Sequence, residues 1–146
     1  MNPVFLTLSD KQIMALTLYG EARGEPCEGK IAVGSVILER VEHRDWDGKT
    51  IPEVCLKPWQ FSCFNEKDPN YWIMVHIAEH WDYEMKYNKY LNDCYTIASG
   101  LIDGSITRTK EIAENHATQY IRIDCNAPWE KEMKKVTTIG GHDFYA

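Results

Sequence analysis

A chain of 146 residues, 44% hydrophobic and 26% charged, has the size and composition of one ordinary globular domain, read as a single unit over residues 1–146. A formal net charge of −6 argues against nucleic acid or an anionic membrane as partner and leaves open a neutral polymer such as a glycan. No stretch approaches the roughly 18 apolar residues of a membrane span, so membrane insertion is not expected.

The opening residues, MNPVFLTLSD, carry no basic segment and too short an apolar run for a secretory signal, so synthesis and initial residence in the cytoplasm are expected. Ser9 followed by Gln12 forms a capping-box pattern, and a helix should run from there to about Ala22. Ile13, Met14, Ala15, Leu16, Leu18 and Tyr19 make that helix apolar around most of its circumference, which implies burial on several sides. Glu21 falls in its last turn. A carboxyl placed there is partly desolvated, which disfavours its charged form and suits it to act as a general acid; the alternative is a structural ion pair with Arg23 or a distant Lys. Gly24 and Pro26 end the helix before Glu25, which is therefore expected at a break, nearer water.

A second helix should start at Pro26 and reach about His43, burying Val33, Val36, Ile37, Arg40 and Val41. Thr50, Pro52 and Glu53 mark a short helix closed by Lys57-Pro58. In the aromatic run WQFSCF, Gln60 and Ser62 are polar side chains that bond the backbone or face a ligand. A helix is expected from about Tyr71 to Tyr87. Within it, His76, Glu79 and His80 match the H-x-x-E-H pattern in which two imidazoles four apart share a zinc ion; the competing reading is solvated or capping histidines. Another helix is expected over Asn88 to Ile102, a loop over Ser105 to Asn115, and a strand over Thr118 to Ile123. A short helix is then expected over APWEKEMKKV, and a turn or strand pair hinged on Gly140-Gly141. Cys27, Cys55, Cys63, Cys94 and Cys125 are scattered without a CxxC pair, as for reduced thiols rather than a structural zinc site. The expected class is α+β: a mostly helical single domain with a small antiparallel β element.

The ordered set LYGEARGEP, EGKIAVGSVIL, QFSCF, IASGLIDG, ATQY, a PW pair and IGGHDFY resembles the spore cortex-lytic enzymes, the cell-wall hydrolases of SleB type found in spore formers and in bacteriophages. The resemblance covers nearly the whole chain. It implies a lysozyme-like domain that cuts peptidoglycan glycan strands between N-acetylmuramic acid and N-acetylglucosamine, with no cofactor. By it, Glu21 is the catalytic acid/base, and Gln60, Ser62, Tyr120 and His142 line or support the cleft; Glu25 joins the substrate-binding candidates through its nearness to Glu21 in sequence. The sequence departs from the family pattern at Glu39, where asparagine is usual, at His116, where glycine is usual, and at Phe64, Gln119 and Ile121.

Two chemistries fit this reading. A hydrolytic muramidase needs a second carboxylate, about 5 Å or 6.5–9.5 Å from the first, for which Glu25 is the candidate. A lytic transglycosylase needs one glutamate acting as acid and then base, because the sugar supplies the nucleophile; this single-glutamate route through Glu21 is the expected one. A zinc peptidase using His76 and His80 is the rival of another class, and a non-catalytic glycan-binding module is a further one. Without an export signal, action on the wall would follow release, as bacteriophage endolysins are released by a holin.

Overall fold

The computed structural model describes residues 1–146. Helix α1, Asp10–Ala22, opens with the reciprocal cap expected: the Gln12 N–H donates to Ser9 Oγ, and the Ser9 N–H to Gln12 Oε1. Every residue from Ile13 to Leu18 is buried, so α1 is enclosed on all sides. Its neighbours are α2 (Cys27–His43), α3 (Ile51–Leu56) and α6 (Lys89–Asp103), the last packing most extensively along it. Pro26 sits one position outside α2 as its extended N-cap. Thr50 caps α3 by accepting the Glu53 N–H, and Asn88 caps α6 by accepting the Leu91 N–H.

Glycine at position 20 lets the aromatic loop approach. A Cβ there would stand 2.5 Å from Cys63 Sγ, so the loop carrying Gln60 and Ser62 lies directly on the end of α1. Cys55, Cys63 and Cys94 are buried in the core while Cys27 and Cys125 are exposed, and all five are free. Burial pushes the Cys55 and Cys94 thiols up to about 12 and moves Cys63 the same way.

Three expectations need correction. The helix expected over Tyr71 to Tyr87 is two helices, α4 (Tyr71–Glu79) and α5 (Trp81–Tyr87), broken where His80 leaves the helical region. The stretch expected as a loop contains α7, Lys110–Asn115, a helix held to the core by buried Ile112. The helix expected through Val136 stops after one 3-10 segment, Pro128–Glu132, and Lys135 already belongs to a strand.

The sheet has β3 (His142–Tyr145) at its centre, flanked antiparallel by β1 (Gln119–Arg122) and β2 (Lys135–Ile139). Gly140, at φ 58°, supplies the left-handed residue that turns β2 into β3. Seven α-helices and one small antiparallel sheet make the chain α+β and mostly helical, as expected. The sheet lies against the α1–α2 junction, and the site forms at that seam.

Candidate active site

The seam is an open groove of about 480 Å³ whose walls include Glu21, Glu25, Arg122, Asp124, Gly141 and His142. Glu21 reaches it from the last turn of α1. Its Oε1 accepts a hydrogen bond from the Tyr120 hydroxyl at 2.9 Å, across 99 residues of sequence. Desolvation by burial raises the Glu21 carboxyl above its ordinary value of 4.5; the Tyr120 bond pulls it down, the Asp68 charge raises it, and the Arg40 charge lowers it, for a net rise. Tyr120 is itself pushed well above the usual phenol range, first by burial and next by the Glu21 charge, so it remains a donor. Its ring packs edge-on to His142 at 5.1 Å and against Phe144 at 5.7 Å.

Glu25 closes the other side. Its Oε1 accepts the Gly141 N–H at 2.8 Å, and His142 Nδ1 lies 3.3 Å from the same oxygen without hydrogen-bond alignment. The carboxylate thus ties the α1–α2 break to the β2–β3 turn. Its position at a break is as expected, but it is engaged with backbone.

Arg40 is a site residue that the sequence reading placed only on a buried helix face. It is 4% exposed, and burial draws its guanidinium below the usual arginine value. Its Nε donates to the Thr118 carbonyl at 2.7 Å, and its Nη atoms to Gln60 Oε1 at 3.4 Å and Gln119 Oε1 at 3.3 Å. The guanidinium also stacks over Phe61 at 5.2 Å. Arg40 therefore links the aromatic loop to β1 beneath Tyr120. A cation on the otherwise apolar face formed by Val33, Val36, Ile37 and Val41 was the available signal. Gln60 joins the site through this arginine rather than by lining the groove. Ser62 is exposed and does not line the groove either. Arg122 and Asp124, an exposed ion pair at 3.1 Å on the groove wall, had no signal in the sequence.

The zinc-peptidase constellation does not assemble. His76 and His80 are exposed, and His80 Nδ1 lies 3.0 Å from the His76 carbonyl at the end of α4. The two imidazoles stack at 4.5 Å, but no third ligating side chain joins them; the one place where three metal-ligating side chains meet is elsewhere, at Glu39, His43 and His116.

Residues 24–145 match the family model described as cell wall hydrolase. The chain belongs to the cell wall hydrolase family. Among curated members, the spore cortex-lytic enzyme of Oceanobacillus iheyensis is 61% identical over 33 residues, 23% of this chain and 12% of that protein. The one from Bacillus cereus is 43% identical over 54 residues, 37% of this chain and 20% of that protein. The aligned segments thus span a fifth or less of these relatives. At the level of structure, this cell wall hydrolase superposes on the catalytic domain of the germination-specific lytic transglycosylase SleB of Bacillus anthracis. The TM-score is 0.61 at 25% identity, covering 94% of this chain and 93% of that one. The catalytic domain of Bacillus cereus SleB gives 0.60, also at 25% identity, with coverage of 94% and 89%. The lysozyme-like fold expected from the resemblance is the fold observed.

Proposed function

We propose that this chain cleaves peptidoglycan glycan strands between N-acetylmuramic acid and N-acetylglucosamine as a lytic transglycosylase, with Glu21 acting twice. The observation that carries this reading is that one of the three carboxyls on the wall of the open groove, Glu21, is raised by burial and oriented by the Tyr120 hydroxyl. Protonated Glu21 gives its proton to the glycosidic oxygen as the bond from that oxygen to the muramyl anomeric carbon breaks. The resulting carboxylate takes the proton of the muramyl 6-hydroxyl as that oxygen closes on the anomeric carbon, leaving a 1,6-anhydro product and a restored acid. No water and no second carboxylate enter. The hydrolytic alternative would set Glu25, fixed through Oε1 to the Gly141 N–H, to act on water or sugar, and the products separate the two routes. Membership of the cell wall hydrolase family and the lytic transglycosylase described for the Bacillus anthracis relative support the same substrate and chemistry.

In this reading Tyr120 orients the acid, Arg40 and Gln60 hold Tyr120's strand in place, and Glu25 and His142 shape the far wall. The test is product analysis on purified sacculi. Native protein should release anhydro-muramyl products, and Glu21→Gln should lower the rate by roughly 10²–10⁴-fold, the usual worth of a positioned acid/base. Reducing-end muramic acid would replace this chemistry with hydrolysis. We further propose a bacteriophage lysis role, in which the chain is held in the cytoplasm and reaches the wall once a holin opens the membrane. This part rests on the resemblance to a family that bacteriophages also carry; expression that lyses cells equally well with and without a holin would overturn it.

A further inference from the structure

We propose that Glu39, His43 and His116 form a binding site for one divalent transition-metal ion, zinc by the chemistry of the donors. The three side chains bring one ligand atom each to within 4.8 Å of one another, at the carboxyl-terminal end of α2 and outside the lining of the groove. Glu39 and His43 are four residues apart on α2, so one rigid element presents both, with His43 Nε2 3.6 Å from Glu39 Oε1. His116 closes the set from the residue that ends α7. Its backbone is left-handed, at φ 51° and ψ 48°, and its Nδ1 stands 2.8 Å from the same Glu39 oxygen.

Arg108 decides how the carboxylate is divided. Its Nη1 donates to Glu39 Oε2 at 2.5 Å, while its remaining bonds go to Glu42. Glu39 Oε1 is left to the two imidazoles. The carboxylate is 2% exposed, whereas the imidazoles are 57% exposed at His116 and 40% at His43, so an ion can enter from solvent on their side. Bonds of about 2.0–2.1 Å in a tetrahedral zinc site put neighbouring ligand atoms about 3.4 Å apart, between the 2.8 and 3.6 Å separations here. Two imidazoles and a carboxylate, with one position left to water or a small ligand, is a donor set that zinc favours over magnesium or calcium, which take oxygen ligands. The site borders an open depression of about 500 Å³ that also includes Trp46 and Met133, giving room for the fourth ligand. An ion here would tie α2 to the turn between α7 and β1, next to Thr118, whose carbonyl holds Arg40.

The test is calorimetric titration of the metal-stripped full chain with zinc chloride, in a Cys27→Ser, Cys125→Ser background that removes the two exposed thiols. One equivalent should bind, and cobalt(II) should give the visible absorption of a tetrahedral site. His43→Ala and His116→Asn should each weaken binding by at least the roughly 10–100-fold that losing even an outer partner of a metal site costs. Both histidines are exposed and asparagine tolerates the left-handed backbone, so both variants should still unfold cooperatively in chelator, with only the modest loss of thermal stability that giving up one contact to Glu39 costs. His76→Ala with His80→Ala should leave binding intact. The proposal is overturned if the parent binds no zinc, if the His43 and His116 variants bind as tightly as it does, or if binding follows His76 and His80. None of these readouts uses wall cleavage, so they stand apart from the role given to Glu21.

Discussion

In the proposed mechanism, a hydroxyl and a carboxyl 99 residues apart in sequence set the chemistry. The Tyr120 hydroxyl donates to Glu21 and so favours the charged carboxylate, partly offsetting the rise that burial imposes. Tyr120→Phe should therefore move the alkaline limb of the pH–rate profile upward while lowering the maximal rate by up to about 100-fold as the acid loses its alignment. A tyrosine that merely packed would lower the rate without moving the limb. The place of Glu21 in the last turn of an apolar helix was legible in the sequence, but the choice between an acid and a structural ion pair was not, and only the family resemblance tipped it; Tyr120 was legible through that resemblance alone. Arg40 was not, since periodicity says which side of a helix a residue takes and not what it meets there. Two departures from the family pattern, Glu39 and His116, turn out to touch each other; a one-dimensional reading had no means of pairing them.

At the scale of elements, the sequence marked those that carry their own stops and starts. Ser9 with Gln12, Pro26, Thr50 with Glu53, and Gly140-Gly141 each delimit an element within a residue or so. The elements misread lack such marks. The break at His80 has neither glycine nor proline. The six residues of α7 have a single fully buried apolar side chain, too few to show a period. Lys134 and Lys135, taken as the favourable end of a helix, instead lead into an edge strand, because pairing with β3 outweighs local preference. The contact of α1 with the aromatic loop gives a prediction at this scale. Gly20→Ala forces a Cβ to 2.5–2.6 Å from Cys63 Sγ and Cβ, and neither can swing clear within the core. Urea unfolding should show a loss of about 1–3 kcal/mol, the usual cost of overpacking. Gly24→Ala has nothing within 4 Å of the added carbon and should stay within about 0.5 kcal/mol of the parent.

For the whole molecule, the price of the acid is stability at neutral pH. Folded Glu21 keeps its proton to a higher pH than in the unfolded chain, where its value is near 4.5. Its favourable contribution is therefore fully present below that value and is lost as pH rises through the raised folded value. Glu21→Gln, which cannot ionise, should match the parent's melting temperature at acid pH and exceed it at pH 7–8; a parent equally stable across that range would contradict the raised carboxyl. The same variant is expected to lose wall cleavage, so function and stability pull in opposite directions at this residue.

The division of the five thiols between core and surface has a practical corollary. Cys55, Cys63 and Cys94, their ionisation suppressed by burial, are closed to alkylating agents while the fold is intact. Reagents will therefore land on Cys27, at the start of α2, and on Cys125, beside Asp124 at the rim of the groove. Under the proposed function, a bulky maleimide adduct at Cys125, next to the groove-lining Asp124, should slow wall cleavage while leaving the melting temperature unchanged.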